Sequence, residues 1–472
     1  MAEADRRTIE GGTPVEVLMD RAGRAVAWGV REVCGGVYGR RVVVVCGKGN
    51  NGGDGLVAAR VLRGWGVRVD TFALEEGIDA ARFERAIARA DVFVDAMFGT
   101  GLTGGLEDDA ARVVAIVAEQ PVAVVAVDIP SGVNGLTGAV DGPAVSADRT
   151  VTFAARKPGL LFEPGRSHAG VVTVADIGIE IGTQQAGVTD AADVRAWIPP
   201  RAPDTHKWEV GGVMVVGGTL GMTGAPMLVS RAVLRAGAGI VWCGVPGEAA
   251  AASASGSEVI TVALPATPEG ALDGRAASTV LRDLDRFGSL VVGPGLGRDE
   301  RTQSAVIQLV ADAPVPLVLD ADGLNALRGD LAPLRMRHTM LEATAVLTPH
   351  DGEFTRLMGE PPGKDRIAAA RRLADATHAV VLLKGSATVI AEPGGGRVAV
   401  NPTGGPWLAS AGTGDVLSGI IGALLARGCD AFSAAAAGAW IHGRAADRAG
   451  HTGMIAGDLI EAIPAALPDP QV

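Results

Sequence analysis

The chain has no surplus of basic residues. Its 42 lysines and arginines stand against 53 acids, a net charge of −11 over 472 residues. That balance excludes a non-specific nucleic-acid binder and a polybasic membrane binder. It leaves room for a small anionic ligand, which local backbone groups can hold. Cysteine is scarce as well: Cys34, Cys46, Cys243 and Cys429 lie too far apart for a zinc knuckle or a small disulfide scaffold. Reduced thiols are therefore expected. No stretch reaches the ~20 charge-poor apolar residues of a membrane span. The opening MAEADRRTIEGGTPVEVLMDRAGRAVAWGV lacks the apolar run of a signal peptide, so a cytoplasmic protein is expected.

Glycine is what abounds, with 67 residues, about twice its usual share of roughly 7%. No G-X-Y period accompanies it, so the excess implies tight turns and close backbone approaches rather than collagen. Hydrophobic residues make up 48% and charged ones 20%, a globular composition. The length suits two or three domains.

Short Val/Ile/Ala-rich runs alternate with helix-period segments, the pattern of an α/β protein with parallel sheets. Strands are expected at Arg41–Cys46, Val67–Thr71, Asp91–Ala96, Val122–Asp128, Arg149–Phe153 and Val171–Asp176, with helices such as Gly55–Gly64 and Asp108–Glu119 between them. Prolines and polar residues over Thr183–Trp208 break the rhythm. This predicts a boundary near residue 190, dividing domain 1–190 from domain 191–472. A second series follows at Val213–Gly217, Ile240–Val245, Leu290–Gly293, Leu317–Asp320, Ala345–Thr348, Val380–Lys384 and Thr388–Ala391, then an Ala-rich helical tail from Asp415. One large domain is the alternative, which the length disfavours.

Directly after Arg41–Cys46 comes GKGNNGGDGLVAAR, with G-x-G-x-x-G at Gly47, Gly49 and Gly52. A strand, this loop and a helix are the context of a dinucleotide-binding turn. Asp70, at the end of the next strand, stands where a ribose-binding acid is expected. Asn50, Asn51 and Asp54 are unusual in such a loop, because a carboxylate repels a pyrophosphate. They are hard oxygen ligands, however, and a cation among them would reconcile acid and phosphate. Two further strand ends, DAMFGTGLTGG with Asp95 and VDIPSGVNG with Asp128 and Ser131, can converge with the first at the carboxyl edge of a parallel sheet. Each alone could be turn or cap chemistry; three together favour a site. A positioned Asp128 could move a proton or simply bond the ligand's ribose or amide.

In the second half, NPTGGPWLASAGTGD sets Gly412-Thr413-Gly414 before Asp415 and an apolar helical run. Helix-start amides form an anion hole. Asp415 could be only a cap, but an anion hole beside a carboxylate is what phosphoryl transfer to a hydroxyl needs. LLKGSATVI would bring Lys384 near phosphates, VVGPGLG ends a strand in close-approach glycines, LTPHDGEF supplies His350 and Glu353, and VVGGTLGMTGAP is another strand–loop–helix start. A lone histidine is usually structural, so His350 gains weight only from its neighbours.

These motifs resemble two known families. GKGNNGGDGLVAAR, DAMFGTGLTG, DIPSGVNGLTG and TFAARKPGLL are similar, in order, to the NAD(P)H-hydrate epimerase domain over roughly residues 10–180, a Rossmann-like three-layer α/β/α fold. The resemblance implies that Asn50, Asn51, Gly52, Gly53, Asp54, Gly99, Thr100, Gly101, Leu102, Thr103, Gly104, Gly105 and Asp128 hold hydrated NAD(P)H. It also implies K+ on Asn51, Asp95 and Ser131. HKW…GGVMVVGG…GMTGAP, GPGLG, TPHDGEF, LKGSAT and NPTGGP…AGTGD resemble the ribokinase-like ADP-dependent NAD(P)H-hydrate dehydratases over roughly residues 193–465. This implies a ribokinase-like α/β/α domain with ADP, and Mg2+ with it, on Lys384, Gly385, Ser386, Ala387, Thr388, Gly405, Gly412, Thr413 and Gly414. It implies the hydrate near Gly297, His350 and Asp415, with Asp415 and Asp128 catalytic. Trp208, Asp351, Trp407 and Ala411 depart from that family's usual residues, and Trp407 bears on the nucleotide pocket. The implied partners are the small molecules NADHX, NADPHX and ADP, with no nucleic acid or membrane, in a homo-oligomer. The rival readings are a ribokinase-like small-molecule kinase with a regulatory first domain, and a non-catalytic dinucleotide-binding scaffold.

Overall fold

Successive residues of Arg41–Cys46 point to opposite faces of their strand, and all but Arg41 are buried. Val42, Val44 and Cys46 enter one apolar cluster, Val43 and Val45 another. A strand buried on both faces belongs to a parallel sheet covered by helices on each side, and the computed structural model has this arrangement. It describes residues 2–182, 186–202, 204–253 and 258–468, which divide into two units, Met1–Gln184 and Gln185–Val472.

The first unit holds β1 (Arg41–Cys46), β2 (Arg68–Ala73), β3 (Val92–Ala96), β4 (Ala123–Val127), β5 (Arg149–Phe153) and β6 (Val171–Ala175). They form one parallel sheet in the order β2-β1-β3-β4-β5-β6. Helices Val15–Cys34 and Asn50–Gly64 cover one face, Ala80–Ile87 and Asp108–Ala118 the other. Leu18, Ala22, Val26 and Val30 make the buried stripe of Val15–Cys34, at the spacing of one helix face. Gly23 of that stripe permits tight packing, since a Cβ there would lie 2.5 Å from Val57. Strand order reverses between β1 and β3, and in such sheets the ligand crevice opens at the carboxyl ends beside that reversal.

The second unit holds β7 (Ala186–Val188), β8 (Gly212–Val216), β9 (Ile240–Pro246), β10 (Ile260–Leu264), β11 (Ser289–Val292), β12 (Leu317–Leu319), β13 (Ala345–Leu347), β14 (Val380–Leu383), β15 (Thr388–Ala391) and β16 (Val398–Asn401). Their order is β10-β9-β8-β11-β12-β13-β14-β15-β16-β7. The sheet is parallel from β10 to β14, while β15 runs antiparallel to both its neighbours. Helices Thr413–Ala426 and Ala431–Ala449 are buried over most of their surface within its core. That explains their largely apolar sequence, because a helix covered on most sides needs little polar face.

β7 pairs with β16, so residues 186–188 belong to the second unit and the divide falls a little before residue 190. Residues 183–185 and 203 of the Thr183–Trp208 stretch lie outside the described residues. The two edge strands, β7 and β10, and β16 beside β7, have no counterpart in the sequence reading. β10 is mostly exposed or half-buried, so it lacks the continuous apolar run that marks the central strands. No described helix is long and apolar enough to cross a membrane.

Candidate functional site

The glycines after β1 are dictated by space. A Cβ on Gly47 would lie 1.8 Å from the Met97 carbonyl oxygen, and one on Gly52 would lie 1.9 Å from that of Gly47. The loops after β1 and β3 are thus in backbone contact across the sheet reversal, and helix Asn50–Gly64 begins directly there. Substituting Gly52 with Ala is expected to destabilise the first unit by about 1–3 kcal/mol, read as a lower denaturant midpoint for that unit alone. An unchanged midpoint would contradict this account of the loop.

Beside this contact lies a cavity of about 430 Å³, lined among others by Asp5, Asn50, Asn51, Asp54, Gly99 to Leu102, Asp128 and Lys157. Of the residues expected in this site, Thr103, Gly104 and Gly105 do not line it; a Cβ on Gly105 would meet the Asp141 carbonyl oxygen at 2.1 Å. Gly52 and Gly53 pack instead on Gly47 and Met19. Asp70 is a correction: it sits within β2, exposed, and away from the cavity.

Asp95 is fully buried. Its Oδ2 accepts from the Ser131 amide at 2.7 Å, and its Oδ1 from the Ser131 hydroxyl at 2.6 Å and the Met97 amide at 3.2 Å. Burial pushes its pKa up to about 6 against those donors. The Ser131 hydroxyl oxygen also accepts from the Phe98 amide at 3.0 Å. Asn51 faces Gly99, and its Nδ2 is buried without a partner. Burial, with Asp128 adding, raises Asp54 to about 8.

Asp128 holds a left-handed backbone, φ 66°, a strained state for a residue with a Cβ and one that clusters at functional sites. Its Oδ1 accepts from Lys157 Nζ, from the Thr152 hydroxyl at 3.0 Å and from the Phe153 amide at 3.4 Å. Lys157 is buried and also donates to Thr152 Oγ1 and the Phe153 carbonyl, each at 2.9 Å. Lys157 and Asp5 are site residues that sequence reasoning missed. Lys157 lies within TFAARKPGLL, where a lysine between an apolar strand and a proline is the sequence signal.

In the second unit, strand order reverses at β8, and the loops after β8, β11, β12, β13 and β14 share one edge. Asp320, just past β12, is fully buried. It accepts from Lys384 Nζ at 2.9 Å and from the Ser418 hydroxyl at 2.7 Å. Burial works to raise its pKa, but Lys384, Ser418 and Thr348 more than offset this and hold it below the usual carboxylate range. Lys384, whose burial pulls the other way, is raised by Asp320, Glu353 and Asp415. Its Nζ lies 3.7 Å from Glu353 Oε2.

Gly412 caps helix Thr413–Ala426 at φ 87°, and Asp415 is in the first turn. The first N–H groups of a helix have no partner inside it, so they are available to an anion. Lys384 Nζ is 3.8 Å from where a Gly414 Cβ would be, which sets a cation against that helix start. Burial, then Asp320, raise Asp415 to about 7 against the pull of Lys384. His442, buried and depressed to about 4 by that burial, is neutral, and its Nε2 lies 2.9 Å from the Thr413 carbonyl. His442, Asp320 and Asp322 escaped the sequence reading because no motif surrounds them.

The remaining expected residues have mixed placements. Gly297 has φ 74°, and its amide donates to Asp322 Oδ2 at 2.9 Å; Asp322 in turn acts on Asp415. His350 caps helix Asp351–Met358, its Nδ1 accepting from the Gly352 and Glu353 amides. Gly385 and Ser386 are exposed, Ala387 is buried and Thr388 begins β15. Gly405 lies against the Trp407 ring, which stacks on His451 with centroids 3.9 Å apart.

Two α/β units, the first with an acid-lined cavity and the second with Asp320 and Asp415 buried beside Lys384 at the edge of a reversed parallel sheet, make a protein with two candidate sites. Family models match both halves: "NAD(P)H-hydrate dehydratase" over residues 213–467 and "YjeF-related protein N-terminus" over 15–82 and 74–159. The chain is 41% identical to the bifunctional NAD(P)H-hydrate repair enzyme Nnr of Moorella thermoacetica, over 98% of this chain and 94% of that protein. The second unit is similar to the ADP/ATP-dependent NAD(P)H-hydrate dehydratase of Bacillus subtilis, co-crystallised with ATP and Mg2+. That match has a TM-score of 0.51 and 30% identity, over 59% of this chain and 96% of that one. A ribokinase-like superfamily protein of Enterococcus faecalis V583 shares the fold at TM-score 0.51 and 21% identity, over 61% of this chain and 97% of that one. The chain belongs to the family of bifunctional NAD(P)H-hydrate repair enzymes.

Proposed function

We propose that the first unit interconverts the R and S hydrates of NADH and NADPH, and that the second dehydrates the S form while ADP becomes AMP and phosphate. The reading rests chiefly on Asp415, a buried carboxyl poised near neutrality beside a glycine-led helix start and Lys384. Hydroxide leaves a carbon poorly. Asp415 takes the proton of the substrate hydroxyl as its oxygen attacks the terminal phosphorus of ADP, and AMP departs. The Gly412–Gly414 amides and Lys384 hold the charge on the transferred group. The carbon–oxygen bond of the phosphorylated hydroxyl then breaks with loss of a ring proton, releasing phosphate and restoring the dihydronicotinamide.

Lys384 to Thr388, Gly405 and Gly412 to Gly414 hold the nucleotide in this reading, and Mg2+ comes with it, neutralising phosphate charge. Gly297 and His350 border the hydrate. In the first unit Asn50, Asn51, Asp54, the Gly99–Leu102 turn and Asp128 hold the hydrate. Asn51, Asp95 and Ser131 suit K+: they offer amide, carboxylate and hydroxyl oxygens, and Asp95 is buried with only neutral donors bonded to it. K+ held by these residues would supply a positive charge beside the acids of the cavity. Small-molecule ligands alone, a cytoplasmic address and a homo-oligomer complete the reading.

The test supplies each purified hydrate epimer with and without ADP, in potassium or in a bulky organic cation. The S epimer should yield NADH and AMP only with ADP, and the R epimer should do so after interconversion that slows without potassium. Phosphorylation of a different alcohol, with no NADH formed, would favour the small-molecule kinase instead.

A further inference from the structure

Helix Ala2–Glu10 brings a third carboxyl to the first cavity, beside Asp54 and Asp128. Asp5 lines it together with Lys48, Asp54, Asp128 and Lys157. Its Oδ1 is buried and has no hydrogen-bond partner. Leaving a buried acceptor unsatisfied costs about 1–3 kcal/mol, and an acid oxygen without a donor on a cavity wall is the condition of a group waiting for a ligand or a proton. Asp128 is differently placed: three donors, Lys157 among them, converge on its Oδ1. One cavity thus offers an acid pinned by a lysine and another with an oxygen left free.

We propose that Asp5 is a catalytic acid–base of the epimerisation, serving the ring nitrogen while Asp128 serves the hydroxyl. This rests on the epimerase reading of the first unit. The carbon to be inverted bears both a hydroxyl and the ring nitrogen, so it inverts by opening and reclosing the ring. Asp128 removes the hydroxyl proton, and that electron pair forms the carbonyl. The carbon–nitrogen bond breaks, its pair stays on nitrogen, and nitrogen takes the proton of Asp5. Rotation about the adjacent carbon–carbon bond presents the other face of the aldehyde. Nitrogen then re-adds, its proton returns to Asp5, and the alkoxide recovers its proton from Asp128. No atom or electron is gained or lost over the cycle.

The scheme needs one carboxyl protonated and the other ionised at the start. Burial raises the pKa of Asp5 against the pull of the chain's terminal ammonium and of Lys157, with Asp128 adding, which favours its acid form.

The test is Asp5→Asn and Asp5→Glu in the full chain, with ADP omitted and the epimers separated chromatographically over time. Asp5→Asn should lower kcat for interconversion by about 10²–10⁴-fold with little change in KM, and Asp5→Glu should recover part of the loss. The wild-type rate should fall at high pH as Asp5 loses its proton. Lys48, Asp54, Asp128 and Lys157 face the same cavity, so the fall belongs to Asp5 only if it vanishes in Asp5→Asn. Wild-type kcat in Asp5→Asn, a change confined to KM, or survival of that fall would each overturn the proposal. An unfolded Asp5→Asn, detected by circular dichroism, leaves the decision to Asp5→Glu, whose pH profile must shift if Asp5 titrates. A wild-type chain that fails to exceed the uncatalysed interconversion would instead bring down the epimerase reading beneath it.

Discussion

Asp415→Asn is expected to lower ADP-dependent recovery of NADH from the S hydrate by about 10²–10⁴-fold, while interconversion of the epimers proceeds unchanged. Asparagine matches the size of aspartate and can still accept a hydrogen bond at the helix start, but it cannot take a proton. The loss should therefore fall on kcat more than on KM. The same residue sets a pH dependence. Its pKa stands at about 7, and a base works only when deprotonated, so wild-type dehydration should rise as pH climbs through about 7 and then level off. The variant's residual rate should lack that rise. Retained dehydration, or a rise that persists in Asp415→Asn, would remove Asp415 from its assigned role.

Lys384→Met carries the largest expected effect on stability. Asp320 is fully buried, and Lys384 is the cation it bonds. Removing one partner of such a pair typically costs about 3–5 kcal/mol, because the remaining charge is stranded. The sign with pH follows from Asp320, whose folded pKa lies below its ordinary 3.8. Its contribution is fully present above 3.8 and is lost as pH falls through the lower folded value. Without Lys384, burial is opposed only by the Ser418 and Thr348 hydroxyls and favours the neutral acid, so the deficit should shrink as pH falls and Asp320 protonates. Urea unfolding followed through Trp208 and Trp242 near neutrality and at acid pH measures this. A deficit under about 1 kcal/mol at neutral pH would mean the pair behaves like a surface ion pair. ADP-dependent activity should disappear in the same variant.

The parts legible in the sequence were those whose cause is local. β1, β5 and β15 lie where their apolar runs put them, because a strand buried on both faces has a distinctive composition. Gly47, Gly52 and Gly412 were found because a close approach or a left-handed backbone tolerates little else. Asp415 stood out by following such a glycine. Lys157, Asp320 and His442 act through partners 29, 64 and 29 residues away respectively, so no window of sequence holds both halves of any of these interactions.

By itself the chain determined its alternation of strands and helices, the loops where backbones meet, and the family those loops belong to. Tertiary structure alone decided which acids are charged. Whether a carboxyl is ionised depends on how much water it has lost and which cation stands beside it. Both are set by residues that become neighbours only when the sheets form, as Asp5 and Asp128 do around one cavity and Asp320 and Asp415 around Lys384.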